Sequence, residues 1–409
     1  MNAIRRFFDK LEPKARENKY LYTTYEAFHT FFFVPKTVTT QGSHIRDGLD
    51  LKRVMIFVVI ALQLPMLFGM WNIGHWHYAA HGLYTGYFDG IWPKFAFGLL
   101  QLLPTIVVSY VVGLGIEFLF AAARGHEVEE GFLVTGMLIP LIMPPDIPLW
   151  MVALATAFAV IIVKEAFGGT GMNLLNVALS ARVFIFFAYP TYMSGDNVWI
   201  AWDTNFLHDL FGLGVHSGAD IVQTFTGATP LGLGANPKGI ETAVGTLTGL
   251  HAITHQYSLW QMIFGVMPGS VGETSAIAIL AGALLLVITR IADWRIMVSM
   301  ILGLIFMSTF LNLIGHSPFT QIPWYYHIFM GGFLFAMAFM ATDPVTAAQT
   351  TKGKYIYGFL IGVIGMLVRV INPAYPEGWM MAILFMNVLA PLIDHLVIQS
   401  NMKKRLARG

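Results

Sequence analysis

Seven ionisable side chains stand inside or at the edge of otherwise apolar stretches: Glu117, Lys164, Glu165, Arg182, Asp343, Arg369 and Asp394. A charge surrounded by hydrocarbon is costly and persists where it is paired or where it serves a pathway. Lys164 beside Glu165 reads as an interfacial ion pair, with the lysine stem reaching towards water. Arg182 and Arg369 each stand next to a polar break in the chain. A guanidinium there suits an anionic cofactor, a quinone oxygen or a buried carboxylate such as Glu117, Glu165 or Asp394. Asp343 and Asp394 close apolar segments, and carboxylates at a pathway mouth concentrate hard cations such as Na⁺. The plainer reading of Asp343, which precedes Pro344, is that it terminates a half-helix.

A second group of candidates lies at Gly168-Gly169-Thr170-Gly171-Met172-Asn173. Gly169 and Thr170 can bring backbone N–H groups close to a ligand, although glycines also permit close helix packing. Asn173 and Asn176 follow three residues apart, so their amides share one helix face. A flavin ring edge, a quinone carbonyl or neighbouring helix ends would satisfy them. Thr224-Phe225-Thr226-Gly227-Ala228-Thr229 is a small-residue turn that presents a hydroxyl. Other chemistries are excluded. There is no cysteine, hence no thiolate metal site, iron–sulfur cluster or disulfide. The 13 histidines form no His-x-x-x-His pair within a candidate span, and no Walker loop exists.

The elements that must position these groups are membrane helices. Hydrophobic residues make up 56% of the 409, and charged residues only 11%, too few to cover a soluble surface. Apolar runs near the required ~20 residues lie at 54–74, 95–122, 131–143, 149–167, 174–190, 274–290, 296–314, 327–341, 355–371 and 379–398. The fold class is therefore all-α, a polytopic membrane protein of about ten transmembrane helices. Residues 1–53 hold ten Lys and Arg, and the tail 399–409 holds four, so the positive-inside rule places both ends in the cytoplasm. The net charge of +1 gives no bulk attraction to nucleic acid, and none is expected as a partner. Residues 191–273 form a long polar stretch on the opposite side, a functional segment or a flexible loop.

A repeat is visible in the pattern. Gly131-Phe132-Leu133 opens a short span that stops at Pro144-Pro145, and Gly332-Phe333-Leu334 opens another that stops at Asp343-Pro344. Each is followed by a full span, a polar break and a further apolar helix. The offset of five spans is odd, which predicts an inverted 5+5 repeat with a site near its centre. The expected organisation is a cytoplasmic extension 1–53, a first repeat 54–190, an outer loop 191–273, a second repeat 274–398 and a basic cytoplasmic tail 399–409.

Thr226-Gly227-Ala228-Thr229 resembles the flavinylation motif Asp-x-x-Ser/Thr-Gly-Ala-Thr, with Gln223 standing where the motif has an acid and Asp220 three residues earlier. Ser43-His44-Ile45-Arg46-Asp47, Lys164-Glu165-Ala166-Phe167-Gly168-Gly169-Thr170-Gly171, Pro268-Gly269-Ser270-Val271-Gly272-Glu273, Ala341-Thr342-Asp343-Pro344-Val345, Asn372-Pro373-Ala374-Tyr375-Pro376-Glu377-Gly378 and Pro391-Leu392-Ile393-Asp394-His395 extend the likeness from about residue 40 to the C-terminus. Together they resemble the family of B subunits of Na⁺-translocating NADH:quinone oxidoreductases. The resemblance implies a urea-transporter-like fold in a bacterial inner membrane, and a complex with five other subunits (A, C, D, E and F) matured by a flavin transferase. It implies FMN esterified to Thr229, a riboflavin, ubiquinone as substrate and Na⁺ as cargo. Gly131 and Phe132 match the family's quinone-site region. Riboflavin is expected at Asn173, Asn176, Gly169, Thr170 and Arg182, and a Na⁺ path at Asp343 and Asp394. The related D subunit of Rnf-type ferredoxin:NAD⁺ oxidoreductases carries the same motif, and a flavin-free solute channel or transporter would share only the repeat.

Overall fold

The computed structural model describes residues 51–124, 131–195, 198–202, 211–215, 227–235, 257–315, 318–372 and 377–408, with Pro13, Tyr22, Tyr25 and Gly42. Expectations for the rest of the N-terminal extension, for Asp220, Gln223 and Thr226, and for Pro373–Pro376 lie outside these residues. Among the described residues the chain is helical and contains no strand.

Long apolar runs become long helices: α1 (Leu51–Ala80) and α2 (Ile91–Arg124). Next come α3 (Phe132–Ile142), α4 (Leu149–Phe158) and α5 (Val177–Ala188). Two short helices follow, α6 (Pro230–Ala235) and α7 (Leu259–Phe264). The last third holds α8 (Ala276–Ile288), α9 (Trp294–Ile314), α10 (Trp324–Phe329), α11 (Phe333–Phe335), α12 (Thr351–Ile371) and α13 (Trp379–Leu406). Among the described residues, six helical stretches are long and apolar enough to cross a membrane: Val54–Ala80, Ile91–Arg124, Leu149–Phe167, Trp294–Ile314, Thr351–Ile371 and Trp379–Leu406. Helices α3, α5 and α8 are apolar but shorter. The expected span at 327–341 is divided between α10, α11 and a π-helical turn, Ala336–Met340.

Local signals account for the helix ends. Asn176, Ser275, Asp293 and Thr350 cap α5, α8, α9 and α12 through side-chain bonds to backbone N–H groups. Helix α4 runs into a π-helical turn, Ala159–Lys164, and a 3₁₀ turn, Glu165–Phe167. The chain then reverses at Gly168, Gly169 and Gly171, all at positive φ (120°, 103° and 90°), where a side chain would be strained.

One apolar core runs through both halves of the chain. Helix α1 packs against α2, α12 against both α9 and α13, and α8 of the second half against α1 of the first. Glycines set these approaches. A methyl on Gly74 or Gly98 would strike the backbone of Lys94 or Met70 across the α1–α2 seam. One on Gly303 or Gly362 would strike Phe359 or Met300 across the α9–α12 seam. Small residues permit this closeness where apolar solvent supplies no hydrophobic drive. Large apolar side chains such as Val111, Leu284 and Leu313 point outward, as in a helix bundle bathed by lipid.

Helix α1 is longer than the run at 54–74 suggests. His77 in its last turn and His81 just beyond it stand four residues apart, but the pair does not lie within the helix. Their rings lie 5.0 Å apart. His77 spends Nδ1 on the Ala201 carbonyl and Nε2 on the Val215 N–H, and His81 bonds the His77 carbonyl. The pair is thus structural, and no metal-binding group of three or more His or acidic residues occurs among the described residues.

Candidate functional site

Two openings lie at opposite ends of α8. The larger has about 810 Å³ of space not filled by atoms, part of it open to the surroundings. It is bordered by the start of α1 (Val54, Met55 and Val58), the start of α3 (Gly131, Val134 and Thr135) and the end of α8 (Leu286). Lys164, Thr170, Asn173, Asn176, Thr342 and Asp343 supply its polar groups. Apolar walls with a few converging polar groups are the make-up of an organic-ligand site.

The glycine break folds as it does in order to build this wall. Thr170 packs against Gly131, where an added Cβ would come within 2.5 Å of Thr170 Cγ2. Thr170 Oγ1 is buried and has no hydrogen-bond partner. Asn173 donates to the Leu175 carbonyl at 3.0 Å. Asn176 caps α5 by accepting from the Leu179 N–H at 3.1 Å, and donates to Asp343 Oδ2 at 3.3 Å. Asp343 also accepts from the Val345 N–H and the Thr346 hydroxyl, both at 3.1 Å. It therefore ends the broken segment through an Asx-type turn and still faces the cavity. Five residues from distant expectations (Gly131, Thr170, Asn173, Asn176 and Asp343) meet on one wall.

The smaller opening, about 330 Å³, is lined by Thr229, Trp199, Gly269, Glu273, Gly331 and Glu377 among others. Thr229 precedes α6, is half-buried, and accepts from the Gly232 N–H at 3.0 Å through Oγ1. The hydroxyl acts there as an acceptor, which leaves its own proton replaceable. Tyr257 donates to the Ala228 carbonyl at 3.1 Å and fixes the approach. Behind the pocket, Arg182 on α5 pairs with Glu273 at 2.7 Å and with Glu377. Arg369 on α12 is fully buried, donates to the His327 carbonyl at 2.8 Å, and lies within electrostatic reach of both carboxylates. Two cations and two anions from four separate elements thus balance one another, as burial of charge requires.

Several expectations are corrected by this geometry. Lys164 and Glu165 do not pair with each other. Lys164 pairs with Glu117 on α2, both side chains 4% exposed, and Glu165 pairs with Arg124 at 3.0 Å. The π-helical turn sets the two neighbours on different faces. Arg182 pairs with none of the three carboxylates named for it, and it lines neither the larger cavity nor the asparagine wall. Arg182 follows its polar break whereas Arg369 precedes its own. Asp394 has more than His395 for polar company. It accepts from the N–H groups of Gln349 (2.7 Å) and Thr350 (3.0 Å) and from the Thr350 hydroxyl (2.5 Å), and so caps α12 from α13. Phe132 is buried with its ring against Gly113 and Gly136, behind the cavity wall. Gly169 is a buried turn residue whose N–H bonds the Lys164 carbonyl.

Glu273 and Glu377 are the partners that sequence reasoning missed, whereas Glu117 was singled out for an arginine and pairs with Lys164 instead. The two missed residues lie in the quoted stretches Pro268–Glu273 and Asn372–Gly378, so the signal was present but lay outside the apolar runs.

Comparison with known proteins gives a consistent result. Residues 38–403 match the model of the NQR2, RnfD, RnfE family. The chain is 46% identical over 432 residues to the B subunit of the Na(+)-translocating NADH-quinone reductase of Ectopseudomonas mendocina (strain ymp), covering 100% of both. It is 45% identical to the protein of that name from Chromohalobacter salexigens, covering 99% of this chain and 97% of that one. The Pseudomonas paraeruginosa protein of that name is 44% identical, with 100% of each covered.

Proposed function

The chain belongs to the NQR2, RnfD, RnfE family, and we propose that it works as the flavin-bearing membrane subunit of a Na⁺-translocating NADH:ubiquinone oxidoreductase. In this reading Thr229 carries FMN as a phosphoester, and the larger cavity takes riboflavin and the ubiquinone headgroup. The complex comprises five further subunits (A, C, D, E and F), sits in a bacterial inner membrane, and exports Na⁺. Ten crossings in an inverted 5+5 arrangement, with both termini cytoplasmic, accord with the paired short helices α3 and α11. Both of these follow a glycine that lacks a side-chain cap bond.

The observation that carries the reading is the position of Thr229. It closes Thr-Gly-Ala-Thr, lines an opening, and has a hydroxyl proton free to be replaced by phosphorus. The residues fit a flavin at both places. The smaller opening offers the acceptor hydroxyl, and its two lining carboxylates, Glu273 and Glu377, are neutralised by Arg182 and Arg369 behind them. The larger offers apolar walls, a buried and unbonded Thr170 hydroxyl, and the Asn173 amide for a polar ring edge. A bound flavin would accept electrons singly or in pairs, joining one-electron carriers to a two-electron quinone. This chain's part is to fix separation and exclude water. Helix α8 has 13 residues, so the two openings stand about 20 Å apart at 1.5 Å per residue.

Denaturing electrophoresis and intact mass test this directly. The unmodified protein should fluoresce as a flavoprotein and carry one FMN less water. Thr229→Ala should be dark, folded and lighter by that amount. Fluorescence retained in Thr229→Ala would sink the tether and move attention to Thr226.

A further inference from the structure

We infer that the end of the bundle where α8 turns into α9 and α12 begins binds one anionic phospholipid. Its phosphate is held by Arg295 and Lys352, and an acyl chain lies along α9. The inference is independent of where flavin or quinone binds.

The headgroup end carries cations in excess. The α8–α9 turn and the first turn of α12 hold Arg290, Arg295, Lys352 and Lys354 against one acid of their own, Asp293. Lys354 donates to Asp293 at 2.9 Å, and Arg295 stands 4.0 Å from the same carboxylate. The Arg295 side chain is 35% exposed, so its fork of donors remains available to another acceptor. Asp394 also lies against the start of α12, but its oxygens accept from the Gln349 and Thr350 N–H groups and the Thr350 hydroxyl. Arg290 and Lys352 are exposed. Four cations thus face two acids at the end of apolar helices, which suits a headgroup of net negative charge.

Two rings and a ridge complete the site. Trp294 and Tyr355 are exposed and meet edge to face, with centroids 6.5 Å apart, and the Arg295 guanidinium lies 5.9 Å from the Trp294 ring. Such rings, apolar in body and polar at one edge, favour the headgroup level of a bilayer. Lys352 precedes Tyr355 by three residues and Ile356 by four, so all three share one face of α12. On α9, Trp294, Val298, Leu302 and Phe306 recur every four residues and are all exposed. That ridge spans about 18 Å at 1.5 Å per residue, the depth of one leaflet in a hydrocarbon core ~30 Å thick. Phe359 of α12 packs on Phe306 with centroids 5.7 Å apart and borders the track. An acidic peptide would match the charges alone, whereas a phospholipid matches charges, rings and ridge together.

Native mass spectrometry of the full chain in detergent, titrated with phosphatidylglycerol or phosphatidylcholine, reads the site. The unmodified protein should bind one phosphatidylglycerol about tenfold or more tightly than phosphatidylcholine. Arg295→Gln/Lys352→Gln leaves the Lys354–Asp293 pair in place. It should weaken that first phosphatidylglycerol by about 10- to 30-fold, with phosphatidylcholine binding and the lipid-free thermal midpoint unchanged. Lys403→Gln/Lys404→Gln removes the same charge from the exposed tail and should change binding by less than about threefold. Equal affinity for the two lipids overturns the inference, and so does an equal loss in the tail variant, which would make net charge the cause. Soluble glycerol 3-phosphate should not displace the lipid; displacement would mean that the ridge contributes nothing. Finally, Leu302→p-benzoylphenylalanine irradiated in intact membranes should crosslink to lipid. A crosslink to polypeptide instead overturns the inference and assigns the ridge to a protein partner.

Discussion

The two openings at the ends of α8 are built on opposite plans. Around the larger cavity the polar side chains are mostly spent on nearby backbone. Asn173 bonds Leu175, Asn176 caps α5, and Asp343 closes a turn, while Lys164 pairs with Glu117 and the buried Thr170 hydroxyl has no bond. Around the Thr229 pocket the polar groups are full charges from distant parts of the chain, locked to one another. The first plan tolerates loss of a single backbone-bonded group, because such bonds are local and replaceable. The second does not, because each removal strands a largely buried charge. Binding sites that must admit and release a ligand suit the first plan, and a fixed attachment point suits the second.

The largest expected effect lies in the charged cluster. Arg182→Met strands Glu273 and Glu377 and should destabilise the protein by about 3–5 kcal/mol, seen as loss of yield and of thermal midpoint in detergent. If Arg182→Met melts with the unmodified protein, the contrast between the two regions is broken. Asp394 comes next. Asp394→Ala removes three bonds that hold the start of α12 and should cost about 2 kcal/mol, whereas Asp394→Asn keeps one acceptor and should cost about half that. A Na⁺ requirement raised in Asp394→Asn at unchanged stability would instead favour a cation path there. On the cavity side, Asn173→Ala loses one local bond and should cost about 1 kcal/mol or less, with any change in ubiquinone-1 binding exceeding its change in stability. The smallest effect is at Asp293, outside both openings. Burial raises its carboxyl, but bonds from Lys354 and the Arg295 N–H outweigh that and hold it below the usual carboxylate range. Its contribution is therefore present above about pH 4 and fades as pH falls through the lowered value. Asp293→Asn should flatten that part of the stability profile.

Apolar runs and helix breaks were legible because each is a local pattern. Partners were not, because they are remote: Arg182 meets Glu273 and Glu377 across 91 and 195 positions, and Lys164 meets Glu117 across 47. Asp394 misled for a related reason. Caps are sought a few residues from the helix they close, and this one arrives from a neighbouring helix 44 residues away. The pairing of Lys164 with Glu165 failed because adjacency in sequence is not adjacency on a helix, least of all where the turn is widened.

The glycine seams have a mechanical consequence. A helix pair whose backbones touch with no room for a methyl cannot ratchet by one turn, since the next side chain along would have to ride over a carbonyl. The α1–α2 and α9–α12 pairs therefore behave as stiff struts. Any change of shape during turnover must be absorbed at the joints between them, which are the widened turns at Ala159–Lys164 and Ala336–Met340. Each joint lies just before a cavity-wall residue, Thr170 after the first and Asp343 after the second. Bending at either joint would alter the width of the cavity while leaving the struts straight.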